Sequence, residues 1–134
     1  MIVEIVDFKP EHLEQMAMRE HEAGMEIDGQ PLFDDSTESK TVFVDGEVIC
    51  CYGIFSNNGL WQIPSVNIMK LPIKYARETI KIVRKLIKGK LGVHSWCVDD
   101  EFHKRWMGFI GFEPTERTME LEGNLCRLYV VHGN

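Results

Sequence analysis

The side chains in this sequence that could ligate a metal, attack a carbonyl or move a proton are four cysteines, five histidines and twenty-one acids. The cysteines are Cys50, Cys51, Cys97 and Cys126, with no pair at CxxC spacing. Adjacent Cys50 and Cys51 fall on opposite faces of a strand and cannot share one ion, so a four-ligand zinc site is not expected. All four sit among apolar, strand-forming residues, which reads as small core thiols kept reduced. His12, His21 and His132 show no metal-ligand spacing, and no metal site is expected. The remaining histidines are His94 and His103. His103 follows Asp100 by one helical turn, close enough for the carboxylate to orient its ring. The plainer readings are a surface histidine for His103 and a small buried thiol for Cys97. Asp34-Asp35 and Asp99-Asp100 are adjacent carboxylates that point apart, so they read as caps rather than acid–base pairs. No Ser-His-Asp arrangement or nucleophile elbow is present.

These residues need elements to position them. Residues 2–8 alternate apolar and acidic side chains, as a half-buried strand does. Pro10 opens a helix expected over 10–24, with Leu13, Met16 and Ala17 on one face and Gly24 as its stop. Residues 25–39 read as a loop with room for one short turn. Residues 40–45 and 47–55 flank Asp45-Gly46, the clearest hairpin signal in the chain. Asn57-Asn58-Gly59 turns into a third strand over 60–66. Pro64 cannot donate a ladder hydrogen bond, so that strand is expected to be bulged or unpaired there. Residues 71–90 form the strongest helix, with Ile73, Ala76, Ile80, Val83 and Ile87 as its expected buried stripe. A strand over 91–98 puts Val93, Ser95 and Cys97 on one face and His94, Trp96 and Val98 on the other. Asp99 or Asp100 caps a helix over about 100–110 that Gly111 ends. A hairpin of 116–121 and 125–131 closes the chain.

The class is α+β: one domain over 1–134 with a mixed, mostly antiparallel central sheet flanked by helices. Its order is strand, helix, three strands, helix, strand, helix, two strands (βα-βββ-α-β-α-ββ). The strands at 60–66 and 91–98 are joined by a helical crossover, so they are expected to be parallel, and splayed near Pro64.

The chain has 134 residues, 44% of them apolar and 27% charged, as in an ordinary globular domain. No apolar run is long enough to cross a bilayer, and the acidic N-terminus does not suit an export signal. A cytoplasmic location without membrane partners is expected. The net charge of −6 disfavours sequence-independent nucleic-acid binding. That average hides an asymmetry: residues 70–90 carry eight bases and one acid, Glu78. The stretch reads either as a solvated helix face or as a surface for an anionic partner.

The element order resembles the acetyltransferase fold of the Gcn5-related N-acetyltransferase (GNAT) superfamily. Val98 to Glu113 looks like that family's last motif, in which a capping asparagine precedes a short helix ending in Gly-Phe. Asp100 stands at the asparagine position, and Gly111-Phe112 match the ending. A narrower resemblance, over roughly 36–115, is to the internal virion protein A-like group of short-tailed phages. It rests on Arg105-Trp106 before Gly111-Phe112, on Ser36 and Val44-Asp45-Gly46-Glu47, and on Trp61 before the basic helix.

The GNAT resemblance implies a pyrophosphate cradle between the fourth strand and the long helix, typically Arg/Gln-x-x-Gly-x-Gly/Ala. Here that stretch, Val66 to Ile73, contains no glycine, and Pro72 removes a donor. Lys70 and Lys74 could supply side-chain cations instead, with Asp100 beside the cofactor arm. The tyrosine acid common in the family is replaced by Met107. The resemblance leaves His94, Cys97 or His103 as the substitute for that acid, with Cys97 and His103 the site candidates, and it places Cys97 where the acyl group would sit. Two readings follow. In the first, the chain is a phage GNAT-fold protein acting in virion morphogenesis without a cofactor. Its partners are other virion or assembly proteins, its place is the host cytoplasm or the virion, and self-association is open. In the second, it is an acetyl-CoA-dependent N-acetyltransferase with an atypical phosphate site.

Overall fold

The computed structural model describes residues 2–16, 29–65, 67–68, 71–121 and 123–131. In chain order the elements are β1 (Val3–Asp7), α1 (Glu11–Gln15), α2 (Gly29–Asp35), β2 (Ser36–Val44), β3 (Glu47–Phe55), β4 (Leu60–Pro64), α3 (Ile73–Ile87), β5 (His94–Val98), α4 (Glu101–Phe109), β6 (Phe112–Leu121) and β7 (Asn124–Val131).

The strands form two antiparallel sheets, ordered β1-β2-β3-β4 and β5-β7-β6. One parallel bridge, Gly59 to His94, joins them at the start of β4 and β5. Asn58 tightens this junction: its carbonyl accepts from the His94 N–H at 3.2 Å, and its side-chain amide donates to the Leu91 carbonyl at 2.7 Å. Beyond the bridge the two strands diverge, as the crossover and Pro64 imply. Pro64 causes no bulge, however. It pairs with Cys50 in an unbroken β3–β4 register. Ser65 N–H donates to the Ile49 carbonyl at 2.8 Å, so Pro64 occupies a non-hydrogen-bonded pair and its nitrogen faces away from β3. The missing donor falls on the side where no strand needs it.

The hairpin of β2 and β3 turns at Asp45 and Gly46, with φ of 50° and 81°. That is the primed geometry an Asp-Gly pair favours. The two faces of β3 feed two cores. Cys50, Tyr52 and Ile54 pack with Val83 and Leu86 of α3 and with Trp106 and Met107 of α4. Cys51 and Val48 pack on the other face with Phe8, Leu13 of α1, Met16 and Trp61. The adjacent cysteines do point apart. Gly53 lies under the Trp61 indole, and a Cβ there would fall 2.1 Å from the indole nitrogen.

Four expectations need correction. The helix expected over 10–24 ends at Gln15, because Met16 takes extended backbone and is buried in the second core. Residues 17–24 lie outside the described residues. The expected loop at 25–39 contains α2, and β2 begins at Ser36. Pro31 suits the first turn, and Gln30 donates to the Asp34 carboxylate at 2.9 Å one turn on. The buried stripe of α3 keeps Val83, with Ile80 and Ile87 packed against the core, but it is broader than expected: Thr79, Ile82 and Leu86 are buried too, while Ile73 is 63% exposed. Thr79 is tolerated there because its hydroxyl donates back to the Tyr75 carbonyl at 3.3 Å. The last hairpin begins at Phe112, four residues early, with an irregularity between Pro114 and Thr118 that Arg127 fills.

Candidate functional site

The gap where β4 and β5 diverge is the place where polar side chains converge on a buried apolar wall. Gln62 of β4 is the pivot. The Trp106 indole N–H donates to its carbonyl oxygen at 2.6 Å. Its amide nitrogen donates to the Met107 sulfur, and lies 3.8 Å from the Cys97 sulfur across the gap on β5. Ser95 places its hydroxyl 3.6 Å from the same sulfur. Burial pushes the Cys97 thiol up to about 11, with the Ser95 and Gln62 contacts opposing. Cys97 is therefore a thiol at neutral pH rather than a thiolate nucleophile. Tyr52 neighbours Gln62 in a non-hydrogen-bonded pair, where side chains sit close. Its hydroxyl is fully enclosed and faces Cys50 and Thr79 without a hydrogen bond of normal geometry. Burial raises this phenol well above the usual range.

At the start of α4, Asp100 caps the helix. Its Oδ1 accepts from the His103 N–H at 2.8 Å and lies 2.8 Å from His103 Nδ1. Both ends of His103 are thus tied to one carboxylate. The ring is 5% exposed and meets Phe102 edge-on at 5.3 Å. The surface-histidine reading is corrected: the cap draws the ring into the protein. Neighbouring Asp99 holds Arg127 through two hydrogen bonds, at 3.0 and 2.9 Å. The Arg127 hydrogen bond keeps the Asp99 carboxyl below the usual carboxylate range.

Among the described residues of the loop from β4 to α3, the backbone donors are spent internally. The N–H of Asn67 goes to the Ser65 hydroxyl at 3.1 Å, that of Ile68 to the Ser65 carbonyl at 3.2 Å, and that of Leu71 to the Ile68 carbonyl at 3.3 Å. Pro72 has none to give. Lys74, in the first turn of α3, is exposed, with its ammonium 5.0 Å from the centre of the Tyr75 ring. Lys70 lies outside the described residues.

No family model matches the sequence, and no curated protein does. Solved structures do. The chain superposes on aminoglycoside acetyltransferase AAC(6')-Ib in complex with coenzyme A and kanamycin with a TM-score of 0.62 and 13% identity, covering 98% of this chain and 95% of that one. A second structure of AAC(6')-Ib, with paromomycin and acetyl-CoA, gives 0.60 at 14% identity over 96% and 92% of the two chains. A Bacillus subtilis acetyltransferase in complex with CoA gives 0.55 at 12%, over 96% and 97%. The fold is that of the GNAT acetyltransferases. Its strand order, with β7 inserted between β5 and β6, follows from the two antiparallel ladders.

Within this GNAT fold the structure brings Cys97 into the gap and joins Asp100 to His103, whereas Lys74 stands apart on α3. The gap is lined by polar groups, and Cys97 within it is 5% exposed. The loop does not fit as a backbone phosphate cradle, because four of its positions have no donor to offer. Among the described residues no group of three His, Cys, Asp or Glu side chains is arranged to hold a metal ion. Sequence reasoning missed Gln62 and Tyr52. The signal was present: Gln62 interrupts the inward-facing series Leu60, Gln62, Pro64, a polar side chain at a core position.

Proposed function

We propose that this chain is an acetyl-CoA-dependent N-acetyltransferase whose thioester arm enters the gap between β4 and β5 and whose pyrophosphate is held by side-chain cations. The observation that carries this reading is the gap itself, opened beyond a single parallel bridge and lined by Gln62 and Cys97. The structural neighbours recorded with coenzyme A support it. Acetyl transfer forms a C–N bond and breaks a C–S bond, and the amine's proton ends on the departing sulfur. Gln62 offers an amide N–H inside the gap, oriented because Trp106 holds its carbonyl. A fixed donor of this kind suits a carbonyl oxygen that gains negative charge. Cys97 stays protonated, so its role is limited to S–H donation. His103 is a positioning residue through the cap. Lys74 and Lys70 are the cations for the phosphates.

Calorimetry of the full chain with acetyl-CoA tests the reading. Saturable binding is expected, weakened in Lys74→Ala. Ligand at a hundredfold over Kd should stabilise the fold by about 2.7 kcal/mol. Gln62→Leu should lower the acetylation rate of an amine acceptor while the fold survives. The absence of binding and of acetyl transfer overturns the proposal.

A second reading rests on the exposed side of α3. Among the described residues Lys81 pairs with Glu78 at 3.1 Å, while Arg77, Arg84, Lys85 and Lys88 have no ion pair. This uncompensated charge favours docking to an acidic surface of another protein, and in the phage setting that protein is a virion or assembly component. Lys81→Glu with Lys85→Glu should then abolish co-purification with such a partner and leave acetyl transfer unchanged. Unchanged assembly after this double reversal rejects the docking role.

A further inference from the structure

A second cavity, of about 610 Å³, lies between the first turn of α4 and the β6–β7 hairpin. None of Gln62, Cys97, Trp106 and Met107 lines it. Its floor is Tyr129. That residue is 1% exposed, its ring is part of the main core, and its hydroxyl has no hydrogen-bond partner among the described residues. A phenylalanine would fill the same core volume. A hydroxyl carried into the interior and left facing a cavity takes its partner from the cavity.

The walls define what that partner is. Arg127 is fully committed: Nε and Nη2 donate to Asp99, and Nη1 donates to the Thr115 carbonyl at 2.9 Å. Asp100 is committed to the helix cap. Glu101 and Glu116 then face a single further cation, Lys104. Four carboxylates against two cations leave the cavity with a formal charge of −2. The field at the hydroxyl has the same sign. Burial first, then Cys97 and the carboxylates of Asp99 and Asp100, raise the Tyr129 phenol, with Arg127 opposing.

We propose that this cavity binds a small organic cation, a primary ammonium compound that donates a hydrogen bond to the Tyr129 hydroxyl and is neutralised by Glu101 and Glu116. The site is separate from the gap and does not rest on the acetyltransferase reading.

Three probes of equal size and different charge test it: n-butylammonium, butyrate and butan-1-ol, titrated into the full chain and followed by backbone and tyrosine-ring NMR. The ammonium probe should give saturable shifts at Tyr129, Lys104 and Thr115, with much weaker responses to the other two. Glu116→Gln, an exposed change, should weaken the ammonium response several-fold, and Tyr129→Phe should do the same. If Tyr129→Phe fails to fold, Glu101→Gln combined with Glu116→Gln gives the deciding measurement. A response to butyrate equal to or stronger than that to butylammonium overturns the proposal. So does the absence of a saturable response to butylammonium, or affinity unchanged in the variants.

Discussion

The gap between β4 and β5 and the loop from β4 to α3 adjoin along one strand, and they differ in kind. In the gap, polar groups converge from three elements: Gln62 from β4, Cys97 from β5, and Trp106 and Met107 from α4. In the loop, the backbone donors of Asn67, Ile68 and Leu71 turn inward and satisfy the loop itself. Under the proposed acetyltransferase reading, receiving an acyl arm and holding phosphates are tasks built by separate means. The first depends on packing across elements and survives without any particular loop sequence. The second depends on local backbone freedom, which glycine supplies and Pro72 removes.

The largest expected effect comes from breaking the gap. Trp106 is 1% exposed and packs between α4 and the sheet. Trp106→Ala should cost about 3–5 kcal/mol in chemical denaturation, as other large-to-small core changes do. Trp106→Phe keeps most of the packing but releases Gln62, and its cost should be nearer 1 kcal/mol. Equal losses in the two variants would mean that the Trp106–Gln62 hydrogen bond, rather than packing, dominates the gap.

A smaller effect is expected at the start of α4. Asp100→Ala removes the acceptor for both the His103 N–H and its ring, and should destabilise by about 1–2 kcal/mol. Asp100→Asn keeps an oxygen for the backbone cap and places the GNAT asparagine at that position. It should recover most of the loss, and full recovery would show that the negative charge contributes little to the cap.

The smallest stability effect belongs to the loop. Pro72→Ala restores one N–H at the helix start, where the chain is exposed, and should change stability by less than about 1 kcal/mol. The same change sharpens the comparison if acetyl-CoA affinity rises, because donors in the loop then limit binding. Unchanged affinity would place the phosphates wholly on side chains.

Much of this was legible without coordinates. Asp45-Gly46, the alternation of β5 and the Asp100 cap with Gly111 are local signals, and each appears where local chemistry puts it. The opposite facing of Cys50 and Cys51 follows from the strand period alone. The element order was legible too, apart from α2, and with it the parallel start of β4 and β5. What failed were the features that depend on contacts distant in sequence. Helix α1 ends early because Met16 is wanted in a core made with Phe8 and Trp61. The buried face of α3 is wider than its expected stripe: Ile80, Val83 and Ile87 meet the core, and the sheet also covers Thr79, Ile82 and Leu86 while leaving Ile73 exposed.

The sequence by itself determined the strands, turns and caps of this protein, because these are decided within a few residues by backbone sterics and short-range hydrogen bonds. Only the tertiary structure decided which polar groups meet. Gln62 reaches Trp106 forty-four residues away, and Arg127 reaches Asp99 twenty-eight residues back. Tyr129 keeps its hydroxyl without a hydrogen-bond partner among the described residues because β6 bends away at Pro114 and the start of α4 roofs the space. No local rule encodes such meetings. They follow from how the sheets, once paired, stack against the helices and from what room is left between them.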